Sequence, residues 1–222
     1  MTVMTISFSS FLATIIKVSS GIPVTLLYSF VPLIFGFSFG IFLATGKISG
    51  PKPLRWLINL YVSIFRGTPL LIQLFLIHYG LPIQLSSFGS GVLAFSLNSS
   101  AYVCEIIRAG IEGVSKGQYE AMQSLSIPYW YGMKDIILPQ ALRTVLPALV
   151  SESINLVKES AIISALPGIT DITRSAHLIN TETYEFFEPM LAAACCYYLI
   201  TSILNLIGHN IEIYLQKAES HD

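Results

Sequence analysis

Long apolar runs, separated by short polar stretches, recur along the chain at lengths that suit helices crossing a bilayer. A spanning helix needs about 20 predominantly apolar residues. Residues 23–44, 57–79, 88–107, 144–166 and 187–207 meet or approach that length. The second is interrupted by Arg66-Gly67-Thr68-Pro69, and the fourth is unusually polar. Residues 6–16 are apolar but too short to span, which predicts an interfacial helix. The N-terminus lacks the basic, then apolar, then small-residue pattern of a cleaved signal peptide. The pattern predicts an all-α polytopic membrane protein. It has one transmembrane domain over residues 1–222, about five spans, and a long polar segment at 108–143.

Composition strengthens this picture. The chain is 53% hydrophobic and 11% charged, against roughly 25% charged residues in a soluble domain. A net charge of −1 with scattered Lys and Arg excludes the basic footprint of a nucleic-acid binder. Cys104, Cys195 and Cys196 all sit in apolar stretches without metal-ligand spacing, and read as small core or lipid-facing residues.

Short loops rich in Lys and Arg mark the cytoplasmic side of a membrane protein. Lys47, Lys52 and Arg55 follow the first span, Arg108, Lys116, Lys134 and Arg143 follow the third, and Lys217 lies in the tail. The opposite side carries Lys17 and Arg174. This bias puts the N-terminus outside and the C-terminus in the cytoplasm, with 108–143 inside.

Within the first span, Gly36, Gly40 and Ala44 recur every fourth residue, a spacing that lets a second helix approach closely. Pro32 should bend that helix or free a carbonyl. In the fourth span Ser151, Glu152, Asn155, Lys158 and Glu159 fall within an arc of about 120° at 100° per residue. Ionisable groups at membrane depth face a bundle interior or a water-filled path. The residues alone leave three roles open for Lys158: a substrate contact, a structural partner of Glu152 or Glu159, or a side chain that snorkels to the surface.

The inside segment has structure of its own. Ser115-Lys116-Gly117-Gln118 predicts a capping box opening a helix over 116–125, with Tyr119, Met122 and Gln123 on one face. Pro128 breaks it, and a second helix over 129–138 runs into Pro139. An exposed amphipathic helix bearing Tyr, Met and Leu suits docking into a partner's groove.

Glu120-Ala121-Met122, Leu125, and then Ile136, Leu138 and Pro139 resemble the EAA motif of ABC-importer permeases: Glu-Ala-Ala, a Gly a few residues on, and Ile-x-Leu-Pro. Three stretches are similar to the polar-amino-acid branch of that family, the histidine, glutamine and arginine type. They are Phe65-Arg66-Gly67-Thr68-Pro69-Leu70-Leu71, Pro139-Gln140-Ala141-Leu142-Arg143 and Asn155-Leu156-Val157-Lys158-Glu159-Ser160. The resemblance covers residues 25–215.

It implies the type I importer permease fold, in a bacterial inner membrane. A loop built on Glu120, Ala121, Met122, Leu125, Ser126, Ile136, Leu138 and Pro139 would dock onto a dimer of separate ATPase subunits, with Glu120 the first candidate for a charged contact. ATP-driven closure of that dimer would swing the helices between inward-open and outward-open. The resemblance further implies a second permease subunit, identical or paralogous. It also implies an extracytoplasmic substrate-binding protein meeting the outer segment 167–188, which carries Asp171, Glu182, Glu185 and Glu188. Asn155, Lys158 and Glu159 would line the substrate pathway, Glu159 toward an ammonium and Lys158 or Asn155 toward a carboxylate.

Two positions depart from the motif. Met122 replaces the second Ala, and Ser126 replaces the Gly, so a different turn is expected, with Pro128 breaking the helix. No cofactor is expected on this chain. It lacks the G-x-x-x-x-G-K-[ST] phosphate loop, because Ile48 follows Gly46-Lys47, so ATP and magnesium would bind the partner. H-E-x-x-H and G-x-S-x-G are absent, and His78, His177, His209 and His221 are dispersed, which argues against an intramembrane enzyme. A secondary transporter would not need the docking helix pair.

Overall fold

The computed structural model describes residues 8–219, with side chains described through residue 213. Residues 6 and 7 of the predicted interfacial helix, the Lys217 side chain and His221 lie outside the described residues. Every regular element among the described residues is a helix. In chain order they are α1 (Phe8–Ser19), α2 (Ile22–Ser49), α3 (Lys52–Gly67), α4 (Leu70–Phe75), α5 (Ser87–Glu112), α6 (Lys116–Ser124), α7 (Tyr129–Gly132), α8 (Leu138–Glu159), α9 (Ile172–Thr183) and α10 (Phe187–Glu219). A π turn over Leu76–Gly80 continues α4, a second over Met133–Ile137 joins α7 to α8, and a 3₁₀ turn over Ser160–Ala165 ends α8.

Three stretches are long and apolar enough to cross a membrane: Phe8–Ser49, Ser87–Glu112 and Phe187–Ile213. α3 and α4 together would make a fourth, but they are bent by 106° at the break. The segment expected as one span over 57–79 is therefore sharply broken. The fourth expected span, α8, has the length but not the apolarity. α1 is more than an interfacial helix. It packs on α10 and α9 through a cluster of Val18, Ile172, Ala176, Ala192, Ala193 and Cys196.

Lipid tails are as apolar as Leu, so helices in a bilayer associate through close packing and hydrogen bonds rather than through the hydrophobic effect. α2 and α5 form the central pair on this principle. Gly36, Gly40 and Ala44 are all buried, as the four-residue spacing predicts. A Cβ on Gly36 would sit 2.9 Å from the Ser99 Cβ, and one on Gly40 would sit 2.7 Å from the Val103 Cβ. α8 closes the interior against α5, α10 and α2. Leu156 joins Tyr28, Leu70, Leu74, Ala94, Phe95 and Ile163 in the main core.

The α3–α4 break has a specific chemistry. Pro69 has no N–H, so carbonyls at the end of α3 lose their helical donors. The buried amide of Gln73 replaces them, donating to the Phe65 carbonyl (2.8 Å) and to the Thr68 carbonyl (3.0 Å) and hydroxyl (2.8 Å). Asn98 of α5 donates to the Phe65 carbonyl and to the Gln73 amide oxygen, both at 3.1 Å. The bend is thus bolted to the central helix.

At the opposite end, the expected acidic surface divides. Asp171 is buried and caps α9, accepting from the Thr173 and Arg174 amides (3.2 and 2.9 Å) and from the Tyr197 hydroxyl (3.3 Å). Burial holds its carboxyl above the usual range despite those donors. Glu188 is buried as well, accepting from Ser10 (2.9 Å) and Thr14 (2.7 Å) of α1. Of the four acids expected to form this surface, Glu182 and Glu185 remain exposed.

Replacing Asn98 by Leu strips a donor from the Phe65 carbonyl and an acceptor-matched partner from Gln73. The expected loss is about 1–3 kcal/mol, the cost of a buried unsatisfied group, read as a lower melting temperature of the purified protein. An unchanged melting temperature would mean that the bend is held without this bracket.

Candidate functional site

The segment between α5 and α8 folds as a tight helix hairpin. α6 ends in a Schellman motif, in which the Ile127 amide donates to the Met122 carbonyl (2.9 Å) and the Ser126 amide to the Gln123 carbonyl (3.0 Å). That motif needs a left-handed residue at Ser126, and its φ is 53°. Glycine would adopt this conformation freely, whereas a residue with a Cβ pays roughly 1–2 kcal/mol. The different turn expected from the loss of glycine is not observed. Ser126 takes the left-handed geometry itself, and the helix stops there, two residues before Pro128 can act.

The hydrophobic contact that accompanies this motif is present, with Ile127 packed in the cluster that buries Met122. Met122 is 4% exposed. Its thioether fills the space beside Gly132, where an added Cβ would lie 1.9 Å from the Met122 Cε. The larger residue at 122 is thus accommodated by the absence of a side chain at 132. Tyr119 also turns inward, its hydroxyl donating to the Ile111 carbonyl (3.0 Å). Together with Ile111, Val114, Met133, Ile137 and Ala141, these residues seat the hairpin on the end of α5.

The expected capping box is not formed, since Ser115 makes no side-chain bond to the helix. The expected common face also divides, with Tyr119 and Met122 inward and Gln123 outward. The outward surface carries Glu120, Ala121, Leu125 and Ser126, followed by Trp130 and Tyr131. Ile136 is half-buried, and Leu138 and Pro139 are exposed at the start of α8.

Pro139 does not end the second helix. A proline inside a helix removes one hydrogen bond and presses on the carbonyl four residues back. The π turn widens the helix there, with the Leu138 amide donating to Met133. Gln140 reaches back with its side-chain amide to the Ile136 carbonyl (2.9 Å). Helical structure therefore runs without a gap from Tyr129 to Glu159, about 45 Å at roughly 1.5 Å per residue.

The far part of that helix carries the polar residues, and they separate into two faces. Glu152 is buried within the bundle and Glu159 is half-buried, while Ser151, Asn155 and Lys158 are exposed. The last three lie on a face that this chain leaves open. Arg66 stacks over the Tyr102 ring, 5.1 Å from its centroid, as an anchoring charge would. Where α2 and α5 approach the hairpin, Glu105 is flanked by Lys47 and by Arg108, and Arg108 also pairs with Glu112. The Glu105, Arg108 and Glu112 spacing put three charges on one stripe of α5, a signal that charge counting by loops passed over. Gly132 and the Gln73–Asn98 bracket carried no sequence signal of their own.

A family model described as "Binding-protein-dependent transport system inner membrane component" matches residues 36–213. The chain is 50% identical over 206 residues to a protein of Rickettsia conorii named as a glutamine transport system permease, GlnP, covering 91% of this chain and 94% of that one. It is 42% identical over 223 residues to the arginine transport system permease protein ArtQ of Bacillus subtilis, covering 99% and 100%. The crystal structure of an amino acid ABC transporter with histidines superposes with a TM-score of 0.88 at 40% identity, covering 95% of this chain and 100% of that one. An inward-facing structure of the MetNI methionine ABC transporter shares the fold, with a TM-score of 0.74 at 19% identity over 90% and 96%.

Gly132→Ala drives a methyl group against Met122, for an expected loss of about 1–3 kcal/mol. Adding Met122→Ala should recover part of that loss, giving a coupling energy of about 0.5 kcal/mol or more in a double-mutant cycle of thermal stability. Strictly additive losses would show that this contact does not hold the hairpin closed.

Proposed function

This chain belongs to the family of inner membrane components of binding-protein-dependent transport systems, and from that premise we propose that it passes a polar amino acid, glutamine or arginine, across the inner membrane. ATP hydrolysis on a partner ATPase drives the step. The observation that carries this reading is the unbroken helix from Tyr129 to Glu159. It joins the hairpin, an external docking surface, to the open polar face of α8. A push on Glu120, Ala121, Leu125 and Ser126 is transmitted through the hairpin core and α8 to Asn155, Lys158 and Glu159. Met122 supports the docking surface from beneath.

The remaining parts follow the family's logic. ATP and magnesium sit on the ATPase dimer, and Lys47, the lysine of the one Gly-Lys pair that precedes a helix end, is engaged by Glu105. A second permease subunit covers the open face of α8 and completes a polar pathway. In that pathway Glu159 takes the substrate's cationic group and Asn155 and Lys158 its carboxylate. Glu182 and Glu185 face the substrate-binding protein, while Asp171 and Glu188 serve the fold. The N-terminus lies outside and the C-terminus in the cytoplasm. Lys47, Arg108, Lys116 and Lys134 support this orientation by gathering at the hairpin end.

Uptake of labelled glutamine and arginine into vesicles holding the assembled transporter, with its binding protein, tests the reading. ATP-dependent uptake of at least one is expected. Glu159→Gln should lower it about ten- to a hundredfold, the weight of a charge-assisted hydrogen bond. Glu120→Ala should lower uptake per ATP hydrolysed by up to about fivefold, the scale of an exposed ion pair. Uptake of neither amino acid, or full uptake by both variants, would overturn the assignment.

Orientation has its own test. A single cysteine placed at Ser124, in a chain with its three native cysteines replaced, should react with an impermeant maleimide only after intact cells are opened. Labelling of intact cells would reverse the orientation.

A further inference from the structure

An apolar groove of about 300 Å³ runs between the hairpin end of α2 and the α7 segment. It is lined by Ile41, Thr45 and Ile48 of α2 with Ile107 of α5, and by Trp130 and Lys134, both of which are exposed. We propose that this groove holds one anionic phospholipid, with an acyl chain along Ile41, Thr45 and Ile48 and its phosphate on Lys134. The inference rests on the membrane reading alone and is independent of substrate and coupling.

Three observations carry it. First, the α2 lining of the groove continues an apolar stripe that is exposed on this chain. Phe30, Ile34, Ile41, Thr45 and Ile48 follow one another at helical spacing, and Phe30, Ile34 and Ile41 are 43%, 65% and 52% exposed. The Thr45 hydroxyl is turned onto the Ile41 carbonyl (2.9 Å), so it offers the groove no donor.

Second, charge is unevenly used at this end. Lys47 and Arg108 are occupied by Glu105 and Glu112. Lys134 makes no ion pair among the described residues and lines the groove. A basic side chain at the surface of an anionic membrane attracts acidic headgroups.

Third, Trp130 and Tyr129, which are 73% and 48% exposed, stand beside Lys134. Such rings favour the headgroup level of a membrane.

The sequence of surfaces, apolar lining and then a cation and aromatic rings, is the complement of a lipid. A protein segment arriving from water would meet Trp130 and Lys134, but Ile41 lies about 12 Å further along α2 from Ser49 at roughly 1.5 Å per residue. The lipid would then sit as a wedge between α2 and the segment that links the hairpin to α8.

Tryptophan quenching tests this in the assembled transporter. The complex is placed in bilayers containing a brominated phosphatidylglycerol or a brominated phosphatidylcholine, and the Trp130 signal is taken as the difference from the Trp130→Phe variant. Quenching by the anionic lipid should be about fivefold more effective than by the zwitterionic one, the weight of one basic residue at an anionic surface. Lys134→Gln should bring the ratio close to one, while Lys134→Arg should retain it. Equal quenching by both lipids in the unaltered chain would overturn the proposal, as would a preference that survives Lys134→Gln. A Trp130 shielded from both lipids would place the ATPase or a second copy in the groove, and would overturn it as well.

Discussion

Inside hydrocarbon there is no water to take up an unmet peptide N–H or C=O, and each such group costs several kcal/mol. An uninterrupted helix meets the requirement by itself. Every interruption must bring its own partners, and the particular character of this fold lies in how its interruptions are satisfied. At Pro69 the orphan carbonyls are taken by Gln73 and Asn98. At Ser160 the helix tightens to 3₁₀, and the Ser160 and Ser164 hydroxyls return to the Val157 and Ala161 carbonyls (2.6 and 2.8 Å). The same accounting holds in the hairpin, which the proposed topology puts outside the hydrocarbon. At Pro139 the helix widens by a π turn and Gln140 bonds the Ile136 carbonyl. At Ser126 a left-handed residue closes the helix with the two backbone bonds of a Schellman motif.

These devices tie the parts of the fold together. The hairpin rests on Met122, Ile127, Met133 and Ile137, a small core shared with the end of α5. The continuity of α7 with α8 joins the hairpin to the polar face of α8 through one run of helical structure. The central pair α2 and α5, locked at Gly36 and Gly40, is the frame against which α8 packs. The sharply bent α3–α4 pair is tied to that frame by Asn98.

Charges follow a consistent allocation. Acids that serve the fold are buried against hydroxyls or amides, as with Glu188 and Asp171. Basic and acidic groups near the hairpin neutralise one another around Glu105. Glu120 on the hairpin, Lys134 beside the groove, and Asn155 with Lys158 on α8 are among the polar groups that remain outward, together with Lys52, Arg55, Lys116, Asp135, Arg174, Glu182 and Glu185. Exposed surface charge usually carries little stabilisation, so these outward groups add little to the fold.

By itself the sequence determined the apolar helices, the end at which basic residues collect, the glycine face of α2 and the hairpin built around Glu120. These are local properties, set by run length, four-residue spacing and the backbone limits of proline. Tertiary structure alone decided which members of each polar set face inward. Asp171 and Glu188 were indistinguishable in sequence from Glu182 and Glu185, yet α1 and α10 bury the first pair and leave the second exposed. Glu152 and Lys158 belonged to one polar arc, and packing of α8 against its neighbours divided it. The break at Pro69 was visible, but its 106° angle and its hydrogen bonds to Asn98 of α5 were not. Ser126 could be read as a misfit until its left-handed turn was seen, and Met122 until Gly132 was found beneath it. Apart from the turn at Ser126, whose bonds stay within residues 122–127, partners from other segments set these outcomes, because burial and hydrogen bonding depend on which chain segment lies opposite, which no local pattern records.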